Sequence, residues 1–308
     1  MKTSGKYPAS VWLALASVYV VWGSTYLAIR FAIQTIPPFF MAGIRFLASG
    51  IILWGLLVLQ ARYHSKKLPR ITWKHLKSAA VIGFFLLVVG NGGVCWAEQR
   101  VPSGLTALLV GTVPVWMVLL EWLWKKGANP GPRLWTGVFL GFTGIAVLVL
   151  LRPQKGLTEV DPRWALLLVC TSLAWSWGSL YARSAPLPSS ALLATALEMV
   201  VGGLQQLATG FLLGEQAGFH PSQFTTSSVE AWIYLTLVGS LVGFTSYIWV
   251  LQKSTPDLAS TYAFVNPIIA VFLGWLLAGE SPTPSLFLAA ALIVAAVVLI
   301  TLAPRKKA

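Results

Sequence analysis

Ten long apolar runs, separated by short polar segments, organise the chain. A membrane-spanning helix needs about 20 mostly apolar residues. Read that way, the runs cover 9–32, 37–60, 77–98, 102–124, 132–151, 162–182, 189–213, 229–252, 256–278 and 282–303. Only the connections 61–76 and 214–228 are long, and no stretch leaves room for a soluble domain. The pattern predicts an all-α integral membrane protein with ten transmembrane helices. The first run starts right after Met1–Pro8 and lasts to about Ile33. That exceeds the roughly 7–15-residue core of a signal peptide, so it is read as an uncleaved first helix.

Composition agrees with a lipid-facing surface. Hydrophobic residues make up 56% of the 308 and charged ones 10%, where soluble domains carry roughly 25% charged residues. The net charge of +13 would suggest nucleic acid in a soluble chain. Here the basic residues sit in short segments between apolar runs, with no basic stripe carrying polar base-readers. With the N-terminus inside, sixteen Lys and Arg fall in inner segments and five in outer ones. The positive-inside rule then places both termini in the cytoplasm of a cell whose inner (plasma) membrane holds the protein. The basic segment 61–77 either fixes this topology or binds anionic lipid.

Conventional site chemistry is sparse. Cys95 and Cys170 lie inside apolar runs and read as small hydrophobic residues. His64, His75 and His220 stand apart in loops or helix ends, and no HExxH, CxxC, P-loop or GxGxxG motif occurs. No cofactor or metal is expected, and the chain does not read as an enzyme.

The second half repeats the first. Trp22-Gly23-Ser24-Thr25-Tyr26 matches Trp177-Gly178-Ser179-Leu180-Tyr181 at an offset of 155. An offset of 153 matches Trp96, Gln99 and Arg100 to Trp249, Gln252 and Lys253, Pro114 to Pro267, and Trp122-Leu123 to Trp275-Leu276. The repeats are expected at 1–152 and 153–308. Five helices per half is an odd number, so the second half enters the membrane from the opposite side. Such inverted repeats suit alternating access.

The motif at Trp22–Tyr26, followed by Pro37-Pro38-Phe39 and Arg45-Phe46, resembles the drug/metabolite transporter superfamily and its EamA-type ten-helix members. Gly90-Asn91-Gly92, Ala97-Glu98-Gln99, Pro102-Ser103-Gly104, Tyr262–Pro267 and Gly279-Glu280 are similar to the same family. The resemblance spans nearly the whole chain. It implies secondary transport of small organic solutes, commonly outward, and a central cavity between helices one, three, four, six, eight and nine. The fifth and tenth helices would be peripheral.

Several residues are candidates for the work. Arg45 lies roughly 12 Å inside the second helix at 1.5 Å per residue, where an arginine costs about 2.5–3.5 kcal/mol on insertion scales. It either anchors a carboxylate or phosphate of the solute, or caps carbonyls or snorkels to the interface. Its partner at offset 153 is Glu198, which raises an Arg45–Glu198 pairing that forms or alternates as the halves rock. Glu121 either carries a proton in a coupled cycle or is an interfacial residue beside Lys125, and Glu98 reads as a solvated helix end. Trp22, Ser24, Tyr26, Asn91, Trp177, Ser179, Tyr181, Tyr262 and Asn266 are the cavity candidates, the aromatic ones either enclosing a flat or apolar solute or filling helix interfaces. Pro114 and Pro267 remove helix hydrogen bonds and free the carbonyls of Val110 and Ala263. These breaks mark a midplane binding region or only shape packing. Gly137, Gly141 and Gly144 in the fifth helix, with Ala289, Ala290, Ala295 and Ala296 in the tenth, read as small packing faces.

The leading expectation is a carrier exporting small metabolites, such as amino acids, or amphiphilic compounds. A proton gradient is the first candidate energy source, with solute exchange beside it. A channel and a membrane-embedded lipid-modifying enzyme are the alternatives. Oligomeric state is left open by the sequence.

Overall fold

The computed structural model describes residues 7–65, 67–125, 131–150, 161–254, 256–279 and 283–301. The predicted repeat boundary at 152/153, the first six residues, Glu280 and the C-terminal Arg305-Lys306-Lys307 lie outside the described residues. Helices stand at all ten predicted places. They are α1 (Ala9–Ala32), α2 (Pro38–Tyr63), α3 (Trp73–Ala97), α4 (Ser103–Val110 continued by Val113–Lys125), α5 (Pro132–Leu150), α6 (Pro162–Ala182), α7 (Ala191–Leu212), α8 (Thr226–Lys253), α9 (Tyr262–Ala278) and α10 (Pro284–Thr301). Among the described residues, seven helices are long and apolar enough to cross a membrane: α1, α2, α3, α4, α6, α7 and α8. Among the described residues there is no β-strand.

The helix starts follow local chemistry. Prolines at the first turn begin α2 and α6, where their missing N–H has no helical partner to lose. Thr72 and His75 form a reciprocal cap at the start of α3. Ser190 and Thr225 cap α7 and α8 by accepting from the backbone N–H groups of Leu193 and Ser228. Gly279 ends α9 with φ of 65°, a left-handed conformation that glycine adopts without strain.

The inversion of the halves is visible in which helix ends meet. Ser228 near the start of α8 donates to the carbonyl of Phe31 at the end of α1. Glu215, just after α7, accepts from Phe39 and Phe40 at the start of α2. These ends therefore share one side of the bundle, here termed the α1–α2 end. Arg183, just after α6, donates to Leu251 and Ser254 at the far end of α8. So α6 runs opposite to α1, its counterpart in the repeat.

Like helices meet across the repeat. α2 packs on α7, and α5 packs on α10. In the first pair, Gly50 and Gly203 are equivalent at the 153 offset. A Cβ on Gly203 would stand 2.6 Å from the backbone nitrogen of Leu47, and one on Gly50 would stand 2.8 Å from Val200. In the second, Gly144 faces Ile293 and the backbone of Ala289, and Gly141 faces Ala296. Small residues bring the backbones close, which is how membrane helices associate. Large apolar side chains such as Leu13, Leu56, Leu59, Phe139 and Leu166 remain exposed on the outside, as a surface meeting lipid requires.

The third helix of each half is wound differently in its middle. Gly83–Gly92 in α3 and Leu235–Phe244 in α8 are π-helical, at matching places in the repeat. Wider winding is usually confined to functional segments. Side chains of neighbouring helices donate to carbonyls inside both stretches: Gln206 to Leu87 at 2.7 Å, and Ser49 to Thr236 at 2.8 Å.

Candidate functional site

A cavity with about 630 Å³ of space not filled by atoms, counting that open at its mouth, lies in the bundle centre. Its walls come from α1, α2, α3, α4, α6, α8 and α9. Six of these are the helices that the resemblance implied; α2 is the addition. Wall residues on α1 and α3 belong to their second halves, and those on α2 and α4 to their first halves. The cavity thus lies towards the α1–α2 end.

Aromatic rings close it on the other side. Trp22 meets Trp175 edge-on, with centroids 5.4 Å apart. Trp22 also packs on Tyr262 at 5.2 Å and on Tyr247 at 4.8 Å. Trp175 donates its indole N–H to the Tyr247 hydroxyl at 3.2 Å, and that hydroxyl bonds to Ser179 at 2.8 Å. Beyond them Tyr19 and Thr261 join hydroxyls at 2.6 Å. Each tryptophan rests on a glycine of the opposite half. A Cβ on Gly243 would stand 2.7 Å from Nε1 of Trp22, and one on Gly90 2.9 Å from Cε3 of Trp175. Gly90 and Gly243 are equivalent at the 153 offset, as are Trp22 and Trp175. The fold therefore uses 153 here too, and not the 155 read from the Trp-Gly-Ser motif.

Arg45 is the charged group of the wall. It is 3% exposed. Its Nη2 donates to Oδ1 of Asn91 at 2.8 Å, and its guanidinium lies 4.6 Å from the Phe46 ring centroid. Its Nε and Nη1 have no hydrogen-bond partner. The Arg45–Glu198 pair considered from the sequence is absent: Arg45 turns to α3, while Glu198 is fully buried on α7 with both carboxylate oxygens unpartnered. Glu98 is not a solvated terminus but 3% exposed. Asn91, Cys95 and Glu98 follow the i, i+4, i+7 spacing of one helix face, which sets Glu98 on the side of α3 that meets Arg45.

At the α1–α2 end, Glu215 accepts from the N–H groups of Phe39 at 3.1 Å and Phe40 at 2.9 Å. The positive end of α2 favours a carboxylate there. Partial burial nevertheless outweighs those bonds and raises its pKa above the usual carboxylate value.

The pattern of the EamA-like transporter family matches residues 9–150 and again 162–302. The chain belongs to the EamA-like transporter family. It is a multi-pass membrane transporter with the family unit present twice. The chain is 39% identical to the "uncharacterized inner membrane transporter YedA" of Escherichia coli K12 over 94% of this chain and 90% of that one. It is 24% identical to the "uncharacterized transporter YvbV" of Bacillus subtilis, over 94% and 90%. Protein PagO of Salmonella typhimurium is 25% identical over 86% and 84%. A solved crystal structure aligns with a TM-score of 0.65 over 94% of this chain and 96% of that one. At 18% identity that likeness shows the fold alone.

In this EamA-like chain, Trp22, Tyr26, Asn91 and Tyr262 stand on the cavity wall with Arg45. Ser24 instead bonds to the Tyr234 hydroxyl at 2.6 Å. Trp177 stacks on Tyr181 and packs on Phe85 of α3. Trp175 and Trp177 are two residues apart, about 200° around the helix at 3.6 residues per turn, so only one of them can face the cavity. Ser179 is buried below the aromatic floor. With its amide turned so that the nitrogen faces them, Asn266 donates to the carbonyls of Tyr19 at 3.1 Å and Tyr262 at 3.2 Å, tying α9 to α1. Glu121 is half-buried in the last turns of α4, and the side chain of Lys125 lies outside the described residues. Near Pro114, α4 breaks between Val110 and Val113. The hydroxyls of Ser172 and Ser176 donate to the carbonyls of Leu109 and Val113 there. Pro267 stands 3.4 Å from the place of a Cβ on Gly111, where α9 meets α4.

Sequence reasoning missed Trp175, Thr171 and Phe244 on the wall. Applying the 153 offset to Trp22 would have found Trp175. Applied to Asn91, the same offset would have found Phe244; for Thr171 nothing in the motifs pointed to it.

Proposed function

We propose that the protein is a secondary carrier that exports a small amphiphilic organic solute, amino-acid-like in chemistry, by alternating access. It sits in the inner membrane with both termini in the cytoplasm, and its two repeats divide at 152/153. The cavity then faces the outside. Arg45, with two unpartnered nitrogens in an aromatic chamber, would hold a carboxylate of the solute. Trp22, Trp175 and Tyr262 would enclose its apolar part. An ion gradient or exchange of solutes supplies the energy.

The observation that carries this reading is the one-sided closure of a symmetric bundle. Equivalent tryptophans from the two halves form a floor, with a cavity above and packed side chains below. A carrier needs such a barrier, movable from one side to the other, while the name of the YedA relative supports the inner-membrane placement.

The test compares extracellular metabolites of cells overproducing the protein with those of cells making a Trp22→Ala, Trp175→Ala variant at equal membrane levels. Enrichment of one solute outside only with the parent protein supports export. Depletion of a supplied solute from the medium with the parent protein would reverse the direction, and no difference for any solute or toxic compound would contradict the reading.

A further inference from the structure

The offset of 153 gives every wall residue of the cavity a mate in the other half. Six of these mates are packed together instead. Val18, Leu86, Ala182, Met199, Tyr247 and Ala263, the mates of Thr171, Gly239, Ile29, Phe46, Val94 and Val110, are all buried in one hydrophobic cluster. Where the open side has Thr25 against Gly239, the closed side has Leu86 filling the space at Gly178, its Cδ1 overlapping the place of a Cβ there. The cluster is thus the packed image of the cavity.

The mate of Arg45 is Glu198, and it is the one charged group among these mates. It is 0% exposed, and neither carboxylate oxygen has a hydrogen-bond partner. The elements packed on α7 are α2, α3, α8 and the turn at Glu215–Gly218. Their titratable groups are Arg45, Arg62 and Tyr63; Lys74, His75, Lys77, Cys95 and Glu98; Glu230, Tyr234, Tyr247 and Lys253; and Glu215. None of them hydrogen-bonds or ion-pairs with Glu198. An ionised carboxylate without partners is too costly to keep in an apolar interior. In this state the group is therefore a neutral acid.

We propose that the hydrophobic cluster is a latent cavity opening to the opposite side, and that Glu198 is its proton-binding site. When the halves exchange conformations, Glu198 takes the place that Arg45 has now, in the wall of an open cavity. There it meets water and releases its proton to that side. Closing the cavity again requires a proton to return to the same carboxylate, because closure removes the water that solvates its charge. One proton is bound on closing and one released on opening, both at the inner face. The site locks the cycle to inner pH and by itself moves no proton across the membrane. This inference rests on the alternating-access reading.

The test uses single cysteines in a Cys95→Ala, Cys170→Ala background, reconstituted in vesicles and labelled with a membrane-impermeant thiol reagent from one side. Ile29→Cys reports the open cavity and Ala182→Cys its latent mate. The proposal predicts that alkaline pH on the inner side exposes Ala182→Cys and protects Ile29→Cys. The ratio of open to closed should change by up to about tenfold per pH unit, as for a single titrating proton. Glu198→Gln, the isostere of the neutral acid, should keep Ala182→Cys protected and Ile29→Cys labelled at every pH, the latter showing that the variant is folded. If the two cysteines exchange accessibility but Glu198→Gln leaves the pH response unchanged, the proton site is wrong and alternating access stands. If Ala182→Cys never labels under any condition or added solute, both fall.

Discussion

Trp22 and Trp175, 153 residues apart in equivalent places of the two halves, meet edge-on at 5.4 Å with their ring planes 83° apart. Each rests on the glycine that its partner's half repeats, Gly243 and Gly90. A contact between equivalent residues lies on the axis that relates the halves. It is the part of the bundle that need not choose a side.

That position makes the pair energetically coupled. Edge-on aromatic pairs contribute about 0.5–1.5 kcal/mol beyond their buried area. A double-mutant cycle of Trp22→Phe and Trp175→Phe against Trp22→Ala and Trp175→Ala, read by thermal unfolding in detergent, should return a coupling of about that size. Additive effects would mean that the contact is incidental.

Arg45 should matter for solute selection more than for folding. Hydrogen bonds to a charged partner contribute about 1.5–3 kcal/mol, so Arg45→Gln should weaken binding of a carboxylate-bearing solute by roughly 10- to 150-fold. The purified variant should melt no lower than the parent, since a partly satisfied buried cation is removed. Equal binding by parent and variant, measured calorimetrically with the exported solute, would show that Arg45 is only structural.

The close approach of α2 and α7 leaves no room at Gly50 and Gly203. Gly203→Val would push against the backbone of Leu47, which cannot rotate away. Overpacking of this kind costs about 1–3 kcal/mol. Less monodisperse protein and a lower melting temperature than for Gly55→Val, whose Cβ would meet nothing within 4 Å, are the expected outcomes of fluorescence-detected gel filtration.

Glu215 gives a pH signature at the α1–α2 end. Its folded-state pKa is raised, chiefly by burial, so the folded protein holds this proton more tightly than the unfolded chain. Its contribution is most favourable below the usual carboxylate range and is lost as pH rises through the raised value. The melting temperature of the parent, relative to Glu215→Gln, should fall across that window. A constant difference over the same pH range would contradict the assignment.

Much of the fold was legible because lipid imposes length and apolarity on every span. The duplication was legible because motifs recur in order. The site was harder to read. The Trp-Gly-Ser motif aligned Trp22 with Trp177, yet helical phase turns Trp177 to α3 and Trp175 to the cavity. Asn91 among glycines hinted at a loose helix, but the π winding of Leu235–Phe244 had no comparable marker, since Thr236, Gly239, Ser240 and Gly243 are small residues that ordinary membrane helices also carry. Glu98 looked solvated because it ends a helix, yet it is buried in the assembled bundle, which no local pattern records.

The central claim is that the bundle holds one cavity twice, open on one side and packed on the other. Distances between spin labels test it most directly. Gln34 and Gln99 flank the α1–α2 end, and their mates Leu187 and Gln252 flank the opposite end. Labels on each pair, in the cysteine-free background and in lipid nanodiscs, should each show two distance populations. Conditions that lengthen one pair should shorten the other. A single, fixed distance at both ends, unchanged by pH or by the transported solute, would contradict the account.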